Sequence, residues 1–354
     1  MLRSLTLKNF RCFQNFTIEP LERINLIGGK NNVGKTSLLE AIFIFINPNN
    51  PESLLQINRL RGIGKSGRFE DMEEMRGFFF GQEMIDNIIK LSGIENNQIE
   101  RFLEIYLNES KKQLSLFEDF EDLQSNASLT TEFKPHNTLV LEYQINKKSA
   151  SRISLTADGK LIGTRSRKEK FPLGIYLTTN IRSSKEDTVR FSNLERVGQQ
   201  EAVLQTLRLL EPRLKRLTVL VDSEAIIYGD IGVSQLVPLP LMGEGIGRLL
   251  SIVLAIANAK GGTVLIDEIE NGLHHSVLTN VWKAIADAAR RADVQIFATT
   301  HSRECIIAAH EAFKNSDKYD FRYHRLDRVK DEIKAITYDQ EALETSEELD
   351  WEIR

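Results

Sequence analysis

The first residues alternate between apolar and polar side chains. Leu2, Leu5 and Leu7 are interleaved with Arg3, Thr6 and Lys8, which predicts a strand over residues 2–9. Phe16 to Glu19 begins a second strand. Arg23-Ile24-Asn25-Leu26-Ile27 forms a third, which runs straight into Gly28-Gly29. Past Lys35 the period changes, and Thr36-Ser37-Leu38-Leu39-Glu40-Ala41-Ile42 carries its apolar residues at helical spacing. The order is strand, glycine-rich loop, helix. Residues 47–135 are less regular. Asn47-Pro48-Asn49-Asn50-Pro51 breaks the chain, Glu83 to Tyr106 predicts a helix, and Glu118 to Thr131 reads as an acidic loop. Strands return over 138–163, with a turn at Asp158-Gly159. An amphipathic helix follows over Gln199 to Arg216, then strands at Leu217 to Val221 and Ala225 to Tyr228. From 238 helices and strands alternate: a helix from Gly245 to Lys260, a buried strand Thr263-Val264-Leu265-Ile266, a helix from Val277 to Arg291, and a strand from Val294 to Thr300. After about 326 the chain alternates again and then turns acidic, with nine acids against two bases between Asp331 and Arg354.

Composition narrows this picture only slightly. Of the 354 residues, 41% are hydrophobic and 27% charged, which suits a globular chain with a real core. The net charge of −4 gives no global attraction to nucleic acid. A local exception is 147–170, where Lys147, Lys148, Arg152, Lys160, Arg165, Arg167, Lys168 and Lys170 face Asp158 and Glu169, a net charge of +6. Such a segment suits nucleic-acid phosphates or is a solvated basic hairpin, and it lacks the aromatics needed for base stacking. Cys12 and Cys305 sit far apart and outside metal-ligand spacing, which points to a reducing compartment. The N-terminus lacks an apolar signal core, and Leu249 to Ala259 is too short to span a bilayer. The expectation is a cytoplasmic protein with no membrane segment.

The chemistry concentrates at three places. Gly29-Lys30-Asn31-Asn32-Val33-Gly34-Lys35-Thr36 fits the GxxxxGK[ST] phosphate loop between a strand and a helix. Glycines let the backbone N–H groups converge on phosphate, and the helix N-terminus adds positive potential. Lys35 is expected to reach the β- and γ-phosphates of ATP, with Gly29, Asn31, Asn32, Val33, Gly34 and Ser37 lining the nucleotide and the Thr36 hydroxyl on Mg²⁺. The buried strand at 263–266 ends in Asp267-Glu268, which delivers Asp267 toward the metal and Glu268 toward the attacking water as general base. One strand later His301 is placed to reach the γ-phosphate or that water. Arg11 touches the nucleotide or is simply solvated, and His274-His275 read as surface or interface residues.

These residues resemble the ABC-type ATPase heads of the RecF, SMC and OLD proteins, most of all the compact OLD-like group. The resemblance covers about 1–46, 170–325 and Trp351-Glu352-Ile353-Arg354. It rests on Leu7-Lys8-Asn9-Phe10-Arg11-Cys12-Phe13, on Asn31 in a GxNxxGK loop, on Ile266-Asp267-Glu268-Ile269-Glu270-Asn271-Gly272-Leu273-His274 as Walker B strand and D-loop, and on Thr300-His301-Ser302 as switch-histidine loop. It implies an α/β P-loop NTPase: a mixed sheet flanked by helices, with an inserted helical lobe and a β-rich subdomain. The expected divisions are 1–48 and 136–325 for the head, 49–135 for the inserted lobe, and 326–354 for an acidic tail. It also implies head-to-head dimerisation, with a signature loop closing over the partner's ATP. The candidate is Met242-Gly243-Glu244-Gly245-Ile246-Gly247-Arg248, with Gly243 and Gly245 acting in trans. The expected serine is replaced by Pro240-Leu241-Met242, so backbone amides or Arg248 would substitute for it. Gln82 is the candidate Q-loop glutamine on Mg²⁺.

No segment sustains the heptads of an SMC arm. About 28 residues follow the last expected ATPase strand, too few for the Toprim domain of OLD nucleases, so no intrinsic nuclease is expected. The favoured function is an ATP-hydrolysing homodimeric switch in DNA repair or anti-phage defence, acting with a separate nuclease-like effector. A non-hydrolysing nucleotide-sensing scaffold and a transporter ATPase subunit are the alternatives.

Overall fold

The structure is a computed structural model, and it describes residues 1–63, 72–108, 138–156, 160–165, 171–179, 184–221 and 224–349. The acidic loop expected at 118–131, residues 166–170 of the basic segment, and Trp351 to Arg354 lie outside the described residues.

The chain opens with β1 (Leu2–Phe10), β2 (Phe13–Ile18) and β3 (Ile24–Gly28). Helix α1 (Lys35–Ile46) follows the phosphate loop, and α2 (Glu52–Leu60) follows the Asn/Pro breaker. Next come β4 (Ile88–Glu95), β5 (Glu100–Asn108), β6 (Thr138–Ile145), β7 (Lys148–Thr156), β8 (Leu161–Arg165) and β9 (Gly174–Leu177). Helices α3 (Ser184–Arg196) and α4 (Gln200–Leu207) lead to β10 (Arg216–Val221), β11 (Ala225–Asp230) and β12 (Val237–Pro238). The final part runs α5 (Glu244–Asn258), β13 (Thr263–Ile266), α6 (His275–Ala292), β14 (Gln295–Thr299), α7 (Arg303–Lys314), β15 (Phe321–Val329), β16 (Glu332–Tyr338) and α8 (Gln340–Glu348).

Among the described residues the strands form three sheets. The central one has the order β16-β15-β3-β14-β13-β9 and is parallel except for β16. Its inner strands are buried on both faces, so β3, β13 and β14 read as apolar runs rather than alternations. Parallel strands that share one direction bring the ends of β3, β13 and β14 to one edge. An antiparallel sheet, β2-β1-β4-β5-β6-β7-β8, packs its apolar face over α1. A small antiparallel sheet, β10-β11-β12, shares a core with α3, α4 and α5.

Three expectations are corrected. Residues 83–106 are not helical. Leu91, Leu103 and Ile105 point inward while Lys90 and Glu104 pair across the strands at 2.7 Å, so β4 and β5 extend the sheet begun by β1. Within the segment expected to be a helical insertion, α2 is helical but β4 and β5 continue the first sheet. The segment from 326 onward is also not simply a tail. β15 pairs with β3 in parallel, Tyr323 opposite Leu26 and His324 opposite Ile27, so β15 and β16 complete the central sheet. The helix expected over 199–216 ends at Leu207, short of Pro212.

Candidate functional site

Strand β3 reaches its last residue at Gly28, and the loop that follows turns through three left-handed positions, Gly29 (φ +124°), Asn32 (φ +59°) and Gly34 (φ +94°). The glycines are required by space as well as by φ. A β-carbon on Gly29 would meet the Leu326 carbonyl of β15, and one on Gly34 would lie 2.7 Å from Cys12 Sγ. Helix α1 begins at Lys35 with no side-chain cap, so its first N–H groups remain turned toward the loop. The Lys35 ammonium donates to the Gly29 carbonyl at 2.6 Å and the Lys30 carbonyl at 2.8 Å. Burial lowers its pKa to about 8, against the opposing charges of Asp267, Glu268 and Glu270. Asn31 and Asn32 are exposed, and Val33 is buried beneath them.

Strand β13 delivers Asp267 to the same edge. The Thr36 hydroxyl donates to its carboxylate at 3.2 and 3.4 Å, and the Thr299 hydroxyl donates at 2.6 Å. Thr299 also accepts the Glu268 N–H at 2.8 Å, so one hydroxyl locks both acids at the strand end. Glu268 has φ +49°, a left-handed conformation that a non-glycine residue adopts at a cost. Its carboxylate stays 40% exposed and stands 3.4 Å from His301 Nε2. Strand β14 ends at Thr299, and Ser302 caps α7 by accepting the Cys305 N–H. His301 is held between those two fixed points.

The oxygens of Thr36 and Asp267 form a hard donor pair. Their 3.2 Å separation is close to the roughly 3 Å between adjacent vertices of an octahedron with Mg–O bonds of about 2.1 Å. The donor set therefore fits a hard divalent cation such as Mg²⁺. Lys35, Thr36, Asp267, Glu268 and His301 thus converge. Gln82 does not join them. It lies exposed at the end of a short 3₁₀ turn, and among the described residues no hydrogen bond links its side chain to Thr36 or Asp267.

Other expected residues have different roles. Arg248 points inward and donates to the carbonyls of Asp267 at 2.5 Å, Glu268 at 3.3 Å and Thr178 at 3.2 Å. It is 4% exposed, so it braces the acid-bearing turn from behind and is not presented to a second subunit. Arg11 is likewise committed: it pairs with Glu40 of α1 at 2.6 Å, lies over the Phe78 ring, and shares Glu40 with Arg61. Gly243 (φ +112°) is exposed at the N-terminus of α5, with open space around it. Gly245 packs against the Gly272 carbonyl. His274 caps α6, and among the described residues no cluster of three His, Cys, Asp or Glu side chains forms a metal site. Of the basic segment, Lys147, Lys148, Arg152 and Lys160 are exposed on the hairpin β6–β7 and just beyond it. Thr299 was not anticipated from the sequence. Its signal is a polar residue closing the apolar strand run Ile296 to Ala298, next to the acid-bearing strand.

The family described as "AAA domain, putative AbiEii toxin, Type IV TA system" matches residues 24–306, from β3 through the start of α7. The chain belongs to this family. An "ATP/GTP phosphatase" of Helicobacter pylori is 22% identical over 336 residues, 90% of both chains. A "DNA replication and repair protein RecF" of Pseudoalteromonas translucida is 52% identical over 42 residues, 12% of each chain. Among solved structures, an SMC head with an extended coiled coil bound to the C-terminal domain of ScpA, from Pyrococcus furiosus, aligns over 99% of both chains with a TM-score of 0.52 and 11% identity. An SmcHead bound to the C-winged helix domain of ScpA aligns over 97% of this chain with a TM-score of 0.51 and 12% identity. The AAA-domain chain therefore has the α/β fold of a RecF/SMC-type ABC ATPase head, as the motifs implied. Among the described residues no helix is long and apolar enough to cross a membrane.

Proposed function

We propose that the protein hydrolyses ATP to ADP and phosphate and that ATP joins two copies of the chain head to head. The observation that carries this reading is the meeting of Glu268, His301 and the Thr36–Asp267 pair at one edge of the central sheet. Lys35 and the N–H groups of residues 29–36 bind the phosphates. Thr36 and Asp267 would hold Mg²⁺, which would draw charge from the phosphate oxygens when bound. Glu268 is the base. It accepts a proton from water as the water oxygen bonds to the γ-phosphorus, and the bond from that phosphorus to the β–γ bridging oxygen breaks. ADP leaves with the bridging oxygen, and the proton passes to phosphate. His301 orients the water and Glu268 through its Nε2. The exposed Gly243 and the half-buried Gly245 at the start of α5 supply the second half of the site from the other copy.

The same reading makes the cycle a switch for a separate effector, with exposed bases on the β6–β7 hairpin available to nucleic acid. Its support is the resemblance to SMC heads, whose solved structures carry ScpA. Glu268→Gln removes the base and keeps the side-chain volume. With ATP and Mg²⁺ it should double in mass by light scattering and return to monomer with ADP. A variant that stays monomeric with ATP bound would sink the dimer.

A further inference from the structure

We propose that Glu270 is a positioning residue for hydrolysis, fixing the loop that carries His301. This rests on the reading just given. Glu270 lies two residues beyond Glu268 in a tight turn closed by the Asn271 N–H on the Glu268 carbonyl at 3.1 Å and the Leu273 N–H on the Glu270 carbonyl at 2.9 Å. Its Oε1 accepts the backbone N–H of His301 at 2.8 Å. Its Oε2 is buried and has no hydrogen-bond partner among the described residues. A buried carboxylate oxygen without a donor is costly, so folding alone gives a poor reason to keep an acid here.

The neighbouring N–H groups show what this bond does. The Thr300 N–H still belongs to the sheet and donates to the Ile27 carbonyl at 3.0 Å. The Ser302 N–H turns back to Thr300 Oγ1 at 3.0 Å. Between them, the His301 N–H is the first beyond the ladder, and a side chain from the turn after Glu268 accepts it. The backbone of His301 is thereby tied to the turn that begins at its own side-chain partner. With backbone and turn linked, His301 Nε2 lies 3.4 Å from Glu268. The turn's other side is clamped as well. Gly272 (φ +76°) sets its carbonyl so close to α5 that a β-carbon on Gly245 would lie 2.6 Å from it. Glu270 thus stands between the glycine-rich start of α5 and the histidine loop, and it transmits the position of one to the other.

Three substitutions test this. Glu270→Ala removes the acceptor, Glu270→Asp withdraws it by one methylene, and Glu270→Gln keeps an oxygen in place. Alanine and aspartate should lower kcat about tenfold or more while the KM for ATP changes less than about threefold, and glutamine should restore most of the rate. In a His301→Ala background, Glu270→Ala should cost less than about twofold further, because the two residues act as one unit. A readout independent of turnover is amide hydrogen exchange. Segment 299–304 should exchange about tenfold faster in Glu270→Ala than in Glu270→Gln, with 24–36 unchanged. Equal losses in both His301 backgrounds, glutamine as poor as alanine, or unchanged exchange would overturn the proposal. A wild-type protein that releases no phosphate would instead refute the hydrolytic reading, and the exchange comparison would still decide the role of Glu270.

Discussion

Asp267 shows how much the site depends on single hydroxyls. Thr36 and Thr299 both donate to it, from α1 and β14, so three elements meet on one carboxylate. Gly34 has the same importance for the phosphate loop. Its φ of +94° penalises any side chain, and a β-carbon would press on Cys12 Sγ and the Phe13 ring. Gly34→Ala is therefore expected to weaken nucleotide binding about tenfold or more while the core remains folded, as read by fluorescent-nucleotide titration with circular dichroism as control. An unchanged Kd would mean that the loop reshapes at little cost. The sequence made Lys35, Thr36, Asp267, Glu268 and His301 legible because each sits at a fixed place in a local pattern: after a glycine turn, at the end of an apolar run, or just past the next strand. Arg11, Arg248 and Gln82 follow no such pattern. The first two were placed by long-range partners, Glu40 and the carbonyls at 267–268, which nothing local announces.

Elements buried on both faces are legible, because β3, β13 and β14 are dominated by apolar residues, with the buried Asn25, Gln295 and Thr299 as polar exceptions. Over 83–106 the apolar residues are dense enough to fit either period. The alternation of Leu103 and Ile105 with Glu104 carried the strand signal, and pairing with β1, some 85 residues earlier in the chain, decided it. Strand β15 was underestimated for a related reason. Its start, Phe321-Arg322-Tyr323-His324, places a half-buried arginine and a fully buried histidine among its apolar residues. His324 lies directly beside Ile27 and donates to or accepts from Thr337 at 3.0 Å. Burial, with a smaller push from Arg322, lowers its pKa to about 3. The folded-state pKa is thus below the ordinary value near 6.5, so the histidine is neutral when folded and takes a proton on unfolding. Its contribution is complete above about pH 6.5 and is lost as the pH falls toward 3, at up to about 1.4 kcal/mol per pH unit. His324→Gln should flatten the acid limb of stability by about one proton, measured by urea unfolding at pH 7, 6 and 5. Parallel limbs for the two proteins would show that His324 titrates normally.

On the scale of the whole molecule, the architecture explains why one edge does the work. Six strands of the central sheet bring the phosphate loop, the acid pair and the histidine loop together, and the antiparallel sheet braces α1 from the opposite side. The glycine-rich start of α5 lies on the surface, joined to the acid-bearing turn through Gly245 and Gly272. A second copy that engaged this surface would therefore press on the turn that holds Glu270 and His301. Steady-state phosphate release separates hydrolysis from mere nucleotide binding. The wild-type protein with ATP and Mg²⁺ should turn over, and Glu268→Gln should fall about a hundredfold or more while still binding ATP. Equal release from both proteins would contradict the assignment of Glu268 as the base.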